Sequence, residues 1–182
     1  MIELIQSGDG KAFSYLVGEY QQKVINISFG MLSDYEDACD AAQEVFVKVY
    51  RSIDKFRGES SLSTWIYRIT KNVCSDFLRK RKETSLSLDE KKEDFPKIEV
   101  TDCTYSPEHS AEKGEMKKII GQAISQLDEK SREVIILYEA EDLSYDEISG
   151  ILQLPVGTVK SRINRAREKL KKILLPNREL FL

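Results

Sequence analysis

Cysteine, glycine, proline and histidine are all scarce in this chain of 182 residues. The three cysteines, Cys39, Cys74 and Cys103, are odd in number and far apart. Such spacing excludes a disulfide framework and a metal knuckle, and a reducing cytoplasm is the expected setting. Nine Gly and four Pro are too few for a strand-rich fold with many tight turns. The single histidine, His109 beside Glu108, reads as a solvated surface residue at the start of a helix. With one histidine, no glycine loop to cradle phosphate and no metal cluster, catalysis has little to stand on. No cofactor is expected. No run of 18 apolar residues occurs, so nothing is expected to span a membrane. The opening residues Met1-Ile2-Glu3-Leu4-Ile5-Gln6 lack a basic segment followed by an apolar one, and no secretory signal is expected.

What the chain has instead is charge. Charged residues make up 32% and apolar residues 41%, which favours small helical units with much solvated surface over one thick core. The length supports one large domain or two small ones. The net charge of −3 hides two basic segments. Residues 65–82 hold Arg68, Lys71, Arg79, Lys80, Arg81 and Lys82 against Asp76 alone. Residues 155–178 hold Lys160, Arg162, Arg165, Arg167, Lys169, Lys171, Lys172 and Arg178 against Glu168 alone. An acidic chain with two concentrated basic segments points to two separate contacts with a polyanion.

The apolar period is helical almost throughout. Phe13, Leu16, Val17, Tyr20, Val24, Ile27 and Met31 recur at steps of three and four. Ser33, with Glu36 three residues on, predicts the N-cap of a second helix carrying Ala38, Ala42, Val45, Phe46, Val49 and Ile53. Arg57-Gly58-Glu59-Ser60-Ser61 interrupts the pattern. A third helix follows, with Leu62, Trp65, Ile66, Ile69, Val73 and Phe77 as its apolar side. The expected fold is all-α: a first domain over 1–82, an acidic flexible linker over 83–106 and a second domain over 107–182. The linker segment has no apolar period and seven acids against three bases. Its residues reach about 80 Å fully extended. Ser106-Pro107-Glu108 predicts the next helix start. The stripe Met116, Ile119, Ile120, Ala123, Ile124, Leu127 follows, and then a helix begun by Asp128 or Ser131.

Residues 144–172 carry the most specific signal. Ser144-Tyr145-Asp146-Glu147 predicts a capping box, Ile148, Ile151 and Leu152 point inward, and Gln153-Leu154-Pro155 breaks the chain before a last helix. Val159, Ile163, Ala166 and Leu170 anchor that helix to its domain. Ser161, Asn164 and Arg165 share another face, bordered by Lys160. This is a helix-turn-helix pattern, and its polar face suits a major groove: Arg bonds guanine, Asn bonds adenine and Ser serves either. Arg162, Arg167, Lys169, Lys171 and Lys172 can reach phosphates on the flanks. A solvated basic helix is the alternative reading.

The first basic segment interleaves Phe56, Trp65, Tyr67 and Phe77 with Arg57, Arg68 and Lys71. Rings for stacking beside cations for the backbone suit single-stranded nucleic acid. Trp65, Phe56 and Phe77 fit a core role better. Tyr67 and Asn72 fall off the apolar stripe and are the expected exposed contacts.

Two stretches resemble a known family. Asp40-Ala41-Ala42-Gln43-Glu44-Val45-Phe46-Val47-Lys48-Val49-Tyr50 and Phe56-Arg57-Gly58-Glu59-Ser60-Ser61-Leu62-Ser63-Thr64-Trp65-Ile66-Tyr67-Arg68-Ile69 resemble region 2 of bacterial sigma-70-type factors. Leu143-Ser144-Tyr145-Asp146-Glu147-Ile148 and Pro155-Val156-Gly157-Thr158-Val159-Lys160-Ser161-Arg162 resemble region 4. Having little else between them resembles the extracytoplasmic-function (ECF) group. The resemblance implies a non-enzymatic, cytoplasmic promoter-recognition subunit of RNA polymerase. It implies that Asp40, Gln43, Glu44 and Phe46 dock on the coiled coil of the largest core subunit, and that the flap of the second largest is a further contact. The acidic stretch Asp34, Glu36, Asp37, Asp40 and Glu44 agrees with a basic partner surface. For the −10 element it implies a flipped-base pocket at Asn72 and, with Tyr67, contacts from Arg68, Lys71, Arg79 and Lys80. For the −35 element it implies readout by Lys160, Ser161, Asn164 and Arg165. Some members carry an aromatic at the position of Asn164, a departure that bears on −35 preference. A membrane-bound anti-sigma factor is a further implied partner.

The two DNA contacts would sit roughly two turns of duplex apart, on the order of 70 Å, within reach of the linker. A stand-alone helix-turn-helix regulator, with residues 1–82 as a sensor or dimerisation domain, is the main alternative. An enzyme with a DNA-binding tail is a third, and it lacks a set of convergent titratable groups.

Overall fold

A computed structural model describes residues 2–86 and 119–176. All regular structure among them is helical. The chain divides into two compact units, and the division falls among residues outside the described set. The expected helix start at Ser106-Pro107-Glu108, Cys103 and His109 also lie outside the described residues.

The first unit comprises α1 (Ile2–Gln6), α2 (Gly10–Leu32), α3 (Tyr35–Ser52), a 3-10 turn (Ile53–Lys55) and α4 (Leu62–Leu86). Asp9 caps α2 by accepting from the Lys11 and Ala12 N–H groups, which satisfies two of the orphan donors of the first turn. Ser33 does not cap α3 as expected. It adopts the left-handed conformation that ends α2, donating its N–H to the Phe29 carbonyl. Asp34 takes the capping role one residue later, accepting from the Asp37 N–H at 2.9 Å. One residue cannot both close a helix in αL and open the next one in the extended region. α2, α3 and α4 pack on one another around Leu16, Val24, Ile27, Val45, Phe46, Val49, Ile66 and Val73, all fully buried.

α1 was not expected from the sequence. Five residues cannot hold a helix in isolation. Here Ile5 is buried, and the Gln6 side-chain amide donates to the Ile53 carbonyl at 2.8 Å and the Phe56 carbonyl at 3.4 Å. At the other end, α4 continues through 83–86, the first residues of the expected linker. No Gly or Pro interrupts it there, and Arg79 pairs with Glu83 one turn on at 3.9 Å.

The second unit comprises α5 (described over 119–125), α6 (Glu129–Ile135), a π-turn (Ile136–Ala140), α7 (Tyr145–Leu152) and α8 (Val156–Leu174). Asp128, not Ser131, is the N-cap of α6. The expected capping box forms: the Glu147 N–H donates to Ser144 Oγ at 3.3 Å and the Ser144 N–H donates to Glu147 Oε2 at 2.9 Å. The core is Val134, Ile135, Leu137, Ile148, Ile151, Val159, Ile163 and Ala166. Arg132 closes the end of α5 by donating to the Ser125 and Leu127 carbonyls. Burial lowers the pKa of its guanidinium.

Candidate nucleic-acid interface

α7 and α8 meet through a turn of three residues. Gln153 stands in the left-handed region, φ 55° and ψ 46°, and donates its N–H to the Ser149 carbonyl. Leu154 donates to the same carbonyl at 3.2 Å. Ser149 Oγ donates in turn to the Leu154 carbonyl at 2.5 Å. Pro155 then opens α8: its carbonyl accepts from Thr158 at 2.8 Å and Val159 at 3.1 Å. Proline suits this position because it lacks only an N–H that the helix start leaves unused.

α8 buries Val159, Ile163 and Ala166 completely. By the helical period, the face directly opposite carries Gly157, Ser161, Asn164 and Arg165, and all four are exposed. Glu168 lies on that face one turn beyond Asn164 and Arg165, also exposed. A carboxylate there repels phosphate, so the surface suited to DNA ends near Arg165 and lies in the first half of the helix.

The flanking cations differ in their engagement. Lys160 is exposed, with Nζ 5.3 Å from the centroid of the Tyr145 ring. Arg162 is half-buried. Arg167 pairs with Glu139 at 2.6 Å and lies 4.9 Å over the Tyr138 ring; the Glu139 hydrogen bond raises its pKa. Lys169 pairs with Asp128 and donates to Ser131 Oγ at 3.3 Å. Two of the expected phosphate contacts, Arg167 and Lys169, therefore hold α8 to its own unit in the free chain. The Lys169 ammonium, followed by Ser131, holds the Asp128 carboxyl down at about 2. A depressed carboxyl pKa adds stability above its ordinary value near 3.8, and that stability is lost as the pH falls toward 2. Asn is an equally good N-cap, so Asp128→Asn removes the charge and keeps the cap. Denaturant titrations should find this variant less stable at pH 7, with the difference shrinking from pH 4 toward pH 2.5. A difference unchanged across that range would show the ion pair contributes nothing.

In the first unit, α4 turns a different side inward than the periodicity suggests. Ile66, Tyr67, Thr70, Val73 and Cys74 are its buried residues in the stretch Trp65–Phe77, and Trp65, Ile69 and Phe77 are only half-buried. Tyr67 is 1% exposed, with its ring edge-on to Tyr20 at 6.3 Å. The exposed contact expected of Tyr67 is thereby corrected. α4 packs against α2 and α3 together, which widens its buried arc and turns it toward Tyr67. The outward side carries Trp65, Arg68, Asn72 and Arg79 at helical spacing. Asn72 and Arg79 are exposed, Arg68 and Lys71 half-buried, Lys80 exposed. Trp65 leans on Phe56 at 5.3 Å. Half-exposed Trp65 is thus a further candidate contact, although it lies on the apolar stripe. Arg79 pairs with Asp76 at 2.9 Å. Arg81, also in the basic run, turns back onto the unit, donating to the Leu32 carbonyl at 3.0 Å and pairing with Asp37.

On α3, Asp40 is exposed, and Gln43 and Glu44 are half-buried on the same outward side. Glu44 pairs with Lys48 at 2.8 Å. Of the acidic stretch, Asp34 is used as a cap and Asp37 by Arg81, whereas Glu36 and Asp40 remain at the surface. Phe46 is 0% exposed. It lies on the side of α3 facing the core, which corrects the docking contact expected of it.

The sequence matches the family models for Sigma-70 region 2 over residues 16–84 and Sigma-70, region 4 over residues 117–170. It is 39% identical over 179 residues to the RNA polymerase sigma-H factor of Pseudomonas aeruginosa, covering 97% of this chain and 93% of that protein. The chain belongs to the ECF sigma-70 factors. As a sigma factor it serves promoter-specific transcription initiation by RNA polymerase. It is also 38% identical over 182 residues to the ECF RNA polymerase sigma-E factor of Escherichia coli K12, with 97% and 93% of the two chains covered. Among solved structures, this sigma factor resembles CnrH in complex with the cytosolic domain of CnrY, with a TM-score of 0.70 and 25% identity. That likeness covers 95% of this chain and 94% of the other. The sigma factor RpoE of Bartonella quintana, in complex with the anti-sigma factor NepR, shares the fold at a TM-score of 0.68 and 24% identity, over 90% of this chain and 97% of that one. No helix among the described residues of the sigma factor is long and apolar enough to cross a membrane.

Proposed function

We propose that this sigma factor reads the −35 element with Lys160, Ser161, Asn164 and Arg165, and opens and holds the −10 element with the outward side of α4, centred on Asn72. The observation that carries the reading is the outward face of α8: three base-reading side chains, exposed together, on a helix whose opposite face is fully buried. Arg68, Lys71, Arg79 and Lys80 supply backbone charge for the −10 strand, and Arg162 does so for the −35 duplex. Tyr67 has no part in it. Arg167 and Lys169 reach phosphate only by leaving Glu139 and Asp128. Asp40, Gln43 and Glu44 dock on core polymerase through the exposed side of α3, where Glu36 adds charge suited to a basic partner.

The protein acts in the cytoplasm without catalysing a reaction, and an anti-sigma factor that covers these same faces holds it inactive. CnrH, in complex with the cytosolic domain of CnrY, and RpoE of Bartonella quintana, in complex with the anti-sigma factor NepR, support that last step by analogy.

Two small DNA modules gain from each other only when something fixes their spacing. Run-off transcription from genomic fragments should therefore show specific initiation with core polymerase. The protein alone should bind the same fragments only in the non-specific range, at about 10⁻⁶ M or weaker. Nanomolar sequence-specific binding without core would favour a stand-alone helix-turn-helix regulator.

A further inference from the structure

A stack of four side chains, three from the helix-turn-helix and one from the π-turn before it, is not required by the motif. Tyr138 and Tyr145 lie face to face, ring centroids 5.1 Å apart and planes within 8°. Lys160 Nζ stands 5.3 Å from the Tyr145 centroid, and the Arg167 guanidinium 4.9 Å from the Tyr138 centroid. The Tyr145 hydroxyl donates to that of Tyr138 at 3.4 Å, and this hydrogen bond is the main cause of a raised Tyr145 pKa. Both cations come from α8, two turns apart, about 10 Å along its axis. The rings come from different elements. Tyr145 opens α7, and Tyr138 sits inside the π-turn, where the Glu141 N–H bonds to the Ile136 carbonyl five residues back. A π-turn adds one residue to a helical turn and is frequent at functional sites.

We propose that Tyr138 is a positioning residue for the −35 contact: through Tyr145 it fixes Lys160 at the edge of the DNA-facing side of α8. This rests on the −35 reading above. A lysine on a flexible stem loses rotamer freedom when it meets DNA. Here the stack orders it on folding. The ring quadrupoles hold the ammonium without neutralising it, unlike the carboxylates that engage Arg167 and Lys169. Among the described residues Lys160 has no acidic partner, so its full charge is available at the helix edge. Arg167 secures the far end of the stack and is held independently by Glu139.

A double-mutant cycle separates positioning from mere packing. Holoenzyme binding to a fluorescein-labelled promoter fragment recovered in the run-off experiment is measured for Tyr138→Phe, Tyr138→Leu, Lys160→Ala, Tyr138→Leu/Lys160→Ala and Arg165→Ala. Tyr138→Leu should weaken binding about two- to fivefold, the range of an exposed cation–π contact. It should have almost no effect once Lys160 is Ala. Tyr138→Phe keeps the ring and should bind like the wild type. A Tyr138→Leu loss of equal size in both backgrounds, or a Tyr138→Phe loss as large as that of Tyr138→Leu, would overturn the proposal. If Lys160→Ala has no effect while Arg165→Ala weakens binding, only the stack proposal fails. If neither has an effect, the −35 reading fails with it. A readout independent of DNA and of the stability of Tyr138→Leu is the proton spectrum of lysine-labelled protein. The Lys160 ε-methylene protons should be shifted upfield by the ring and should return to ordinary values in Tyr145→Leu. Ordinary values in the wild type would overturn the proposal.

Discussion

Replacing Asn72 by Ala should slow promoter opening on duplex DNA by on the order of tenfold, and a promoter carrying a pre-melted −10 bubble should restore most of the loss. Asn72 is exposed on the outward side of α4, one turn beyond Arg68 and two beyond Trp65. It anchors no buried group, so Asn72→Ala should fold and bind core polymerase normally. An extruded base loses pairing and stacking worth a few kcal/mol and must regain them in its pocket. A side-chain amide presents both a donor and an acceptor to a base edge, with a net contribution of roughly 0.5–1.5 kcal/mol for each hydrogen bond. Losing about 1.4 kcal/mol is a factor of ten. Arg165→Ala loses about 1–3 kcal/mol at the −35 element, and a bubble at −10 does nothing to replace that contact. Permanganate reactivity of unpaired thymines, followed on duplex and bubble templates, distinguishes the two. Equal rescue of both variants, or an unfolded Asn72→Ala protein, would remove Asn72 from the −10 pocket.

The contrast between Asn72 and Tyr67 shows what the residue pattern conveys and where it fails. Both lie off the stripe drawn through Leu62, Trp65, Ile66, Ile69, Val73 and Phe77, yet one is exposed and the other buried. A stripe of one helix records a single packing partner. α4 has two, so its buried side is broader and turned toward Tyr67 and Cys74, and Trp65 moves to the edge. The second unit was more legible. Capping boxes, a proline turn and a buried stripe are local signals, and the Ser144 box, the break at Gln153–Pro155 and the inward Val159, Ile163 and Ala166 all appear as expected. The π-turn left no such trace. It changes the hydrogen-bond step by one residue without changing composition, and the Tyr138–Tyr145 stack depends on chain geometry that no residue pattern records. α1 was invisible for another reason: its stability comes from Ile5 and from a Gln6 hydrogen bond 47 residues away.

Phe46 poses the sharpest question of whether a motif residue is a contact or a support. Its place beside Gln43 and Glu44 in the region 2 motif suggests polymerase docking. Its side chain, 0% exposed on the core side of α3, gives a partner nothing to touch. Truncating a buried Phe to Ala removes its transfer free energy and leaves a cavity, together costing about 3–5 kcal/mol. That is a large fraction of the stability of a small helical unit. Phe46→Ala should therefore unfold or nearly unfold the first unit, seen as loss of helical signal in its melting transition, and polymerase binding should fail as a consequence. Phe46→Leu separates the two roles. It keeps an apolar side chain of nearly sufficient volume and should cost roughly 1–1.5 kcal/mol, leaving the unit folded at 25 °C and core affinity within about twofold of wild type. Asp40→Ala, at the exposed side, should do the opposite: unchanged melting and weakened core binding that worsens less with added salt than the wild type's, since one charge has been removed. If Phe46→Leu folds like the wild type but loses core polymerase, α3 must present Phe46 to its partner, and the buried position seen in the free chain is not the one that binds.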